Sequence, residues 1–180
     1  IYNEIKSSSL VVTYKDSSGA NQPELFDNMV AVKWDDTNST WVAADITNEW
    51  YNYSNKNWAN AVILNSGITK NPGQAIDVAT EVAQMYVWIP RYKYEIFNGN
   101  NGSVAAKEIK ITFETGTTKT GTVTCTDDIG TKSTSESCGT ITNDSSTYTH
   151  PAFTFGTTEL TGIWVGKFEN SNINPCTAAN

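Results

Sequence analysis

The stretch Met85–Phe97, MYVWIPRYKYEIF, guides the interpretation of the whole chain. Aromatic and β-branched residues dominate it, which predicts two β-strands. Proline is tolerated at the end of a strand but not inside a central one, so Ile89–Pro90 predicts a hinge between the two. In the second strand Arg91, Lys93 and Glu95 alternate with apolar residues. This alternation predicts one packed face and one charged face turned toward solvent or a partner.

Further strands are predicted on both sides of this stretch. A second aromatic segment, His150–Glu169 (HPAFTFGTTELTGIWVGKFE), follows it in the chain. Before it, Met29–Trp34 and Thr40–Ala44 flank the turn residues Asp35–Asn38 and predict a hairpin. The run Ala61–Leu64 is apolar. Strands are also predicted at Leu10–Tyr14 and Lys107–Phe113.

One helix is predicted between these strands. Asn71 offers an N-cap and Pro72 a proline at the first helical position. The apolar residues that follow at helical spacing are Ile76, Ala79, Val82, Ala83 and Tyr86. Because Pro90 cannot continue a helix, the helix must end before the VWIPR strand.

Composition favours a β-rich fold and excludes some partners. Thr, Ser and Asn make up about a third of the 180 residues, and the chain has six Trp, eight Tyr and six Phe. Such residues suit strands with Thr-rich faces and Asn-rich turns. A net charge of −7 repels nucleic acid. No stretch is apolar enough to predict a membrane span, and no signal peptide opens the chain, which predicts a removed leader or another export route.

We therefore predict an α+β fold that is predominantly β, with antiparallel strands and one short helix. Residues 1–22 are predicted to form an N-terminal arm or strand, and residues 23–180 a single β-rich domain. Within that domain, residues 114–149 are rich in Thr, Gly and Ser. They predict a long, disulfide-tied hairpin or flap that packs little of the core.

The three cysteines point to an oxidising compartment. Cys125 and Cys138 flank the polar loop TDDIGTKSTSES. A disulfide that closes it would stabilise it by about 3 kcal/mol in the chain-entropy model. A metal site is the alternative, but the sequence has one histidine and no CxxC motif. Cys176 is left over and is predicted to be unpaired or to bond to another chain. Disulfide use favours an extracellular or periplasmic location, and we predict an extracellular one.

Residues for catalysis are scarce. His150 is the single histidine and precedes a proline, a context in which the side chain more often caps a turn than acts as a base. The acidic pairs Asp35/Asp36 and Asp127/Asp128 stand beside turn residues and lack the spacing of a calcium loop. Phosphate-binding glycine motifs are absent. No catalytic, cofactor-binding or metal-ligating residue is therefore predicted.

Four tryptophans fall close together in the sequence, at Trp34, Trp41, Trp50 and Trp58. They suggest a platform on which sugar rings stack, with Trp50 and Trp58 as candidate ligand contacts. The alternative is that all four pack under a small sheet. Trp is rarely fully buried, so a mixture of the two is also open.

The segment Val87–Phe97 resembles the opening of the formylglycine-generating, sulfatase-modifying family, which has a variant of the C-type lectin fold. Members often begin with a V-x-I-P strand and continue with a segment marked by His and Pro and a strand ending in G-K-Y/F-E. HPAF at His150–Phe153 and WVGKFE at Trp164–Glu169 follow in that order. LFDNMVAVKW and WYNYSNKNWANAV also resemble N-terminal regions of surface and phage-borne proteins of Gram-positive gut bacteria.

The resemblance implies architecture without chemistry. In the enzymes of this family the catalytic cysteine pair and the calcium-binding residues lie beyond the G-K-Y/F-E strand, and no position here matches them. The resemblance thus implies the front part of a lectin-like domain, whose unpaired edges further sequence or another subunit would complete.

These observations predict a non-enzymatic, extracellular structural or adhesion module at a cell surface or on a virion. It would belong to a filament, a pilus or a phage tail, and would associate with itself or with another surface protein. A fragment of a formylglycine-generating enzyme and a carbohydrate-binding module that uses surface tryptophans are the alternatives.

The predicted disulfide between Cys125 and Cys138 can be tested directly. We expect the intact mass of the unreduced protein to be lower by two hydrogens than that of the reduced protein, with Cys125 and Cys138 in one disulfide-linked peptide after digestion. Two alkylatable thiols at these positions in the unreduced protein would contradict the bond.

Overall fold

A computed structural model describes residues 13–95, 109–126, 140–143 and 145–168. Over these ranges the chain is predominantly β, with antiparallel strands and very little helix, which confirms the predicted fold class. The chain divides into two compact units. Of the described residues, the first unit holds 13–17, 22–88 and 164–168, and the second holds 18–21, 89–95, 109–126, 140–143 and 145–163. Residues 1–12 of the predicted arm of residues 1–22 lie outside the described residues, so the division into that arm and a domain of residues 23–180 stays a prediction.

The elements follow one another in short steps. In chain order they are β1 Val30–Asp35, β2 Thr40–Ala43, β3 Asn60–Leu64, β4 Ala75–Ile76, α1 Val78–Glu81, β5 Val82–Pro90, β6 Tyr92–Glu95, β7 Ile111–Phe113, β8 Val123–Thr126, β9 Thr140–Asn143, β10 Thr147–Thr149, β11 Thr154–Phe155, β12 Thr158–Glu159 and β13 Gly162–Gly166. Two 3-10 helices lie at Tyr53–Asn55 and Pro151–Phe153.

A six-stranded sheet dominates the first unit, with strand order β13-β5-β3-β1-β2-β4. In the antiparallel pairs at its centre, Val32 lies opposite Ala43 and Val62 lies opposite Met85. Because facing residues share a side of the sheet, these side chains meet in one apolar cluster that also includes Ile76. The cluster is the core of the sheet's buried face.

The predicted hairpin is confirmed, and the predicted helix is wrong in its bounds. β1 and β2 pair around the Asp35–Asn38 turn, with Trp34 opposite Trp41. The helix, however, is the four-residue α1, capped by Asp77 and not by Asn71. Val82 already begins β5, which pairs along β3. Pairing with β3 thus overrides the helical spacing of the apolar residues.

A chain of aromatic contacts forms a second packed region in the first unit. Tyr51 meets Tyr14, Trp50 and Tyr53 with ring centroids 5.0–5.3 Å apart, and Tyr53 meets Trp58 at 5.3 Å. The Asp16 carboxylate accepts a hydrogen bond from the Tyr53 amide at 2.7 Å. Burial raises the pKa of Tyr51 to about 12, so its hydroxyl stays protonated across the physiological range.

The second unit is built from short antiparallel pairs. β6 lies between β10 and β7 in a three-stranded sheet, and β8 with β9 and β11 with β12 form two further pairs. The β8–β9 pair falls in the predicted excursion of residues 114–149, where a hairpin was expected. β7 covers the last three residues of the strand predicted at Lys107–Phe113, while Ile109 and Lys110 are described but lie before the strand. Most of the strand predicted at Leu10–Tyr14 lies outside the described residues.

Arg91 separates β5 from β6 and lies one residue after the predicted hinge. Its side chain is fully buried, which shows that the prediction of a charged face including Arg91 was wrong. The guanidinium donates to Glu114 at 3.1 Å, forms an ion pair with Glu159 at 2.7 Å and donates to the carbonyl of Leu160 at 3.1 Å. A buried charge is tolerated only when paired and hydrogen-bonded in this way.

Glu114 in turn is held from its other side. Its carboxylate accepts hydrogen bonds from the hydroxyls of Thr120 at 2.6 Å and Thr149 at 3.0 Å. Hydrogen bonds from Thr154 and Arg91 hold the pKa of Glu159 below its ordinary value. The Arg91 ion-pair network therefore ties the start of β6 to β10, to β12 and to the segment after β7.

His150 caps a turn, as its position before Pro151 suggested. Its Nδ1 accepts a hydrogen bond from the amide of Ala152 at 3.2 Å, at the start of the 3-10 helix Pro151–Phe153. The ring packs 5.1 Å from Tyr92 and 5.8 Å from Tyr94. This use of the imidazole is structural.

We expect Arg91→Met to destabilise the second unit by about 3–5 kcal/mol, because Glu114 would keep its buried charge without a cation. A urea titration followed by far-UV circular dichroism measures this loss. All six tryptophans belong to the first unit, so their fluorescence serves as an internal reference. Lys110→Met is the control: this side chain is mostly exposed, its ion pair with Glu95 spans 3.5 Å, and it should cost less than about 1 kcal/mol. Equal losses for the two variants would contradict the role of the network.

Candidate functional site

A groove of about 600 Å³ opens in the first unit between the β1–β2 hairpin and the segment that carries β4 and α1. We call it the tryptophan groove. Its lining residues are Trp34, Ser39, Thr40, Trp41, Lys70, Ala75, Ile76, Asp77, Val78, Thr80 and Glu81. The set combines two indole rings with three hydroxyls and three charged groups. Such a mixture of apolar surface and a few polar groups is typical of a binding site for a small ligand.

The indole side of the groove follows from strand register. Trp34 and Trp41 face each other across the β1–β2 pair, and their ring centroids lie 5.6 Å apart at an interplanar angle of 72°. Trp41 packs against the core cluster, and the Lys167 ammonium lies 4.9 Å from the centre of its ring. Trp34 is 47% exposed. Trp41 is thus the support and Trp34 the ring offered to solvent.

The turn that joins the two strands is held by Asp35. Its carboxylate accepts hydrogen bonds from the amide of Thr37 at 2.9 Å and from the side chain of Asn38 at 2.8 Å. These bonds, led by that of Asn38, lower the pKa of Asp35. Asp35 is therefore a turn residue, as its sequence context indicated. Ser39 closes the turn with a left-handed φ of 50° and places its side chain at the groove.

The opposite wall is a network of three charged side chains. Lys70 donates to the carbonyl of Ala75 at 2.8 Å and to Glu81 at 2.7 Å. The second Glu81 oxygen accepts from the amide of Asp77 at 2.8 Å. Asp77 caps α1 through the amide of Ala79 at 2.9 Å and the hydroxyl of Thr80 at 2.7 Å. Each carboxylate oxygen of this wall therefore has a partner within the protein.

Both carboxylates of the wall are stabilised in their charged form. Hydrogen bonding to Thr80 is the main cause that lowers the pKa of Asp77, and hydrogen bonding to Lys70 is the main cause that lowers the pKa of Glu81. Both groups are hence ionised at neutral pH. A carboxyl that acts as a proton donor near pH 7 needs the opposite, a raised pKa.

The wall is anchored to the central sheet by Asn65. Its backbone N–H donates to the carbonyl of Glu81 at 2.8 Å, and its side-chain amide donates to the carbonyl of Thr80 at 2.9 Å. Asn65 directly follows β3. These two bonds satisfy carbonyls at the end of α1 and fix the helix beside the sheet.

The predicted ligand contacts lie elsewhere in the first unit. Trp50 is 4% exposed and belongs to the aromatic packing around Tyr51, so it has little surface for a ligand. Trp58 is 39% exposed and packs against Tyr53. The four tryptophans therefore form no single platform. Trp34 and Trp41 are the two that share a groove.

Several predicted residues fall outside what the structure describes. The Cys125 backbone lies in β8, while Cys138, Cys176 and the pair Asp127/Asp128 lie outside the described residues. The charged groups that line the groove were missed at the sequence level. A usable signal was Asp77, whose residue type favours an N-cap as that of Asn71 does.

No protein-family model, no curated protein and no solved structure matches the chain. None of the helices in the described ranges has the length and hydropathy that a membrane crossing requires. Those same ranges contain no group of three or more His, Cys, Asp or Glu side chains placed to hold a metal ion.

Acid should loosen the charged wall. Because its pKa is lowered, the ionised Asp77 contributes stability above the ordinary aspartate value of 3.8, and this contribution is lost as the pH falls through the lowered pKa. We expect the amide resonance of Ala79 to stay constant between pH 7 and pH 5 and to move only below about pH 4. Asp77→Asn is the control, since its amide oxygen still accepts a hydrogen bond but does not titrate. A midpoint for Ala79 above 3.8 would contradict this assignment.

Proposed function

We propose that this protein is a non-enzymatic binding module of an extracellular surface assembly, on a cell or a virion, and that it attaches to carbohydrate through the tryptophan groove. The observation that carries the proposal is the half-exposed Trp34 ring beside the fixed Lys70–Glu81–Asp77 network. A filament, a pilus or a phage tail is the kind of assembly that the Thr-rich, sparsely charged strands suit.

Carbohydrate is the ligand class whose chemistry fits this groove. One face of a sugar ring is lined by C–H groups that pack on an indole, while its hydroxyls need both donors and acceptors. Trp34 supplies the apolar face, and it is held in place by Trp41, whose own ring packs on the core. Ser39, Thr80 and the charged wall supply polar atoms at the same groove. A ring fixed before binding loses little conformational entropy when the ligand arrives.

The protonation of the wall supports binding without hydrolysis. Glycoside hydrolysis by a carboxylate pair uses one carboxyl kept protonated to donate to the leaving group. Asp77 and Glu81 both have lowered pKa values and both are hydrogen-bonded within the protein. The pair therefore lacks the proton donor that this chemistry needs at neutral pH, and it serves to shape the groove.

Substitution of Trp34 tests the proposal. Large aromatic side chains at the centre of a binding site commonly contribute about 2 kcal/mol or more, so Trp34→Ala should weaken binding to the recognised glycans by about thirtyfold. The measurement is binding of the labelled full chain to a panel of immobilised glycans, followed by titration calorimetry on those bound. Trp34→Phe should keep part of the affinity, since a smaller ring remains.

Trp58→Ala is the matched control. Trp58 is exposed to a similar extent but lies outside the groove lining, so its removal should leave glycan binding within about twofold. Loss of binding in Trp58→Ala with normal binding in Trp34→Ala would move the contact site to Trp58 and contradict the groove assignment. A panel on which no glycan is bound would contradict carbohydrate attachment itself.

A further inference from the structure

We infer that the tryptophan groove accepts an uncharged sugar and discriminates against acidic sugars such as uronic acids. The inference rests on the proposed function and names the ligand class of that same groove. It rests on the ion pair and hydrogen bonds that the charged groups of the wall already make with one another.

The groove has an excess of negative charge. Among its lining residues Asp77 and Glu81 are anionic and Lys70 is the cation, which leaves one net negative charge. The Lys70 ammonium is 2.7 Å from Glu81 and also donates to the carbonyl of Ala75. An incoming carboxylate would meet a cation whose charge Glu81 already neutralises, and it would be repelled by Asp77. The net charge of −7 on the whole chain adds repulsion at longer range.

An uncharged sugar avoids this conflict and finds matching hydrogen-bonding groups. An ammonium has three N–H donors, and the contacts of Lys70 within the described residues use two of them, which leaves one for a ligand. Each carboxylate oxygen has a second lone pair beyond the hydrogen bond that it already accepts. A hydroxyl both donates and accepts, so adjacent sugar hydroxyls can bond to the free Lys70 donor and to a wall oxygen without any change in net charge.

The contact with Trp34 does not distinguish a hexose from its uronic acid, so the selectivity depends on the charged wall. Packing of a ring on an indole face depends on apolar contact area, and that area is nearly the same for a hexose and for the uronic acid derived from it. The two sugars therefore differ in the groove by one charge. At about 4–6 Å in a largely solvated groove, one repulsive contact weakens binding by about threefold to tenfold.

The experiment compares three probes on the full chain by titration calorimetry. They are the methyl glycoside of a hexose identified on the glycan panel, the corresponding uronic acid and the corresponding amino sugar. We expect the hexose to bind about threefold to tenfold more tightly than the uronic acid at low salt. Because the repulsion is electrostatic, the ratio should shrink toward one in 1 M NaCl.

Glu81→Gln separates the charge of the wall from its structural role. The amide keeps an acceptor for Lys70 or for the Asp77 amide but removes one negative charge. We expect affinity for the uronic acid to rise at least threefold relative to the hexose, whereas simple damage to the groove would weaken both sugars alike. Glu49→Gln is the control, since Glu49 bonds to Tyr14 and lies outside the groove lining.

The outcomes distinguish this inference from the proposed function. A uronic acid that binds more tightly than the hexose, or an amino sugar that binds as weakly as the uronic acid, with dependence on Trp34, would overturn the selectivity and leave the groove as a carbohydrate site. An unchanged affinity ratio in Glu81→Gln would overturn the role of the wall charge. If Trp34→Ala changes the binding of none of the three sugars, the proposed function falls, and the inference falls with it.

Discussion

The burial of one guanidinium is the constraint on which the second unit depends. Arg91 stands where the chain leaves β5 and enters β6, and its charge is removed from water. Such a charge is stable only if the fold brings carboxylates and carbonyls to it. Glu114, Glu159 and the carbonyl of Leu160 are those groups, and they come from two separate parts of the chain. The contacts that neutralise Arg91 therefore join the start of β6 to the segment after β7 and to β12.

In the first unit a different constraint sets the site. Register in a β-hairpin determines which side chains face each other, and a shift by one residue would turn every side chain to the other face. The observed register places Trp34 beside Trp41 and Val32 beside Ala43. The same alignment thus places Val32 and Ala43 in the apolar core and leaves the exposed indole of Trp34 at the edge of that core. The groove is in this sense the open end of the hydrophobic face.

The sequence predicted what depends on neighbouring residues and missed what depends on distant ones. The β1–β2 hairpin, the Asp35 turn and the capping role of His150 are local, and each was indicated by its own residues. Helical spacing around Ile76 was also local, but pairing of β5 with β3 overrode it. Burial of Arg91 could not be read from an alternating pattern, because its partners lie 23 and 69 residues along the chain. For the same reason, sequence proximity placed Trp50 among surface candidates although packing around Tyr51 buries it.

The sheet order of the first unit bears on how the chain reaches its fold. β5 and β13 are neighbours in that sheet, yet nearly all of the second unit is inserted between them in sequence. During synthesis the earlier strands of this sheet are made long before β13. Until β13 is made, β5 lacks its partner at that edge of the sheet. The entropic cost of closing this connection rises with the length of flexible chain between its ends. If the inserted unit folds first, it shortens that flexible length. The second unit can thus act as a kinetic aid to completion of the sheet that carries the binding groove.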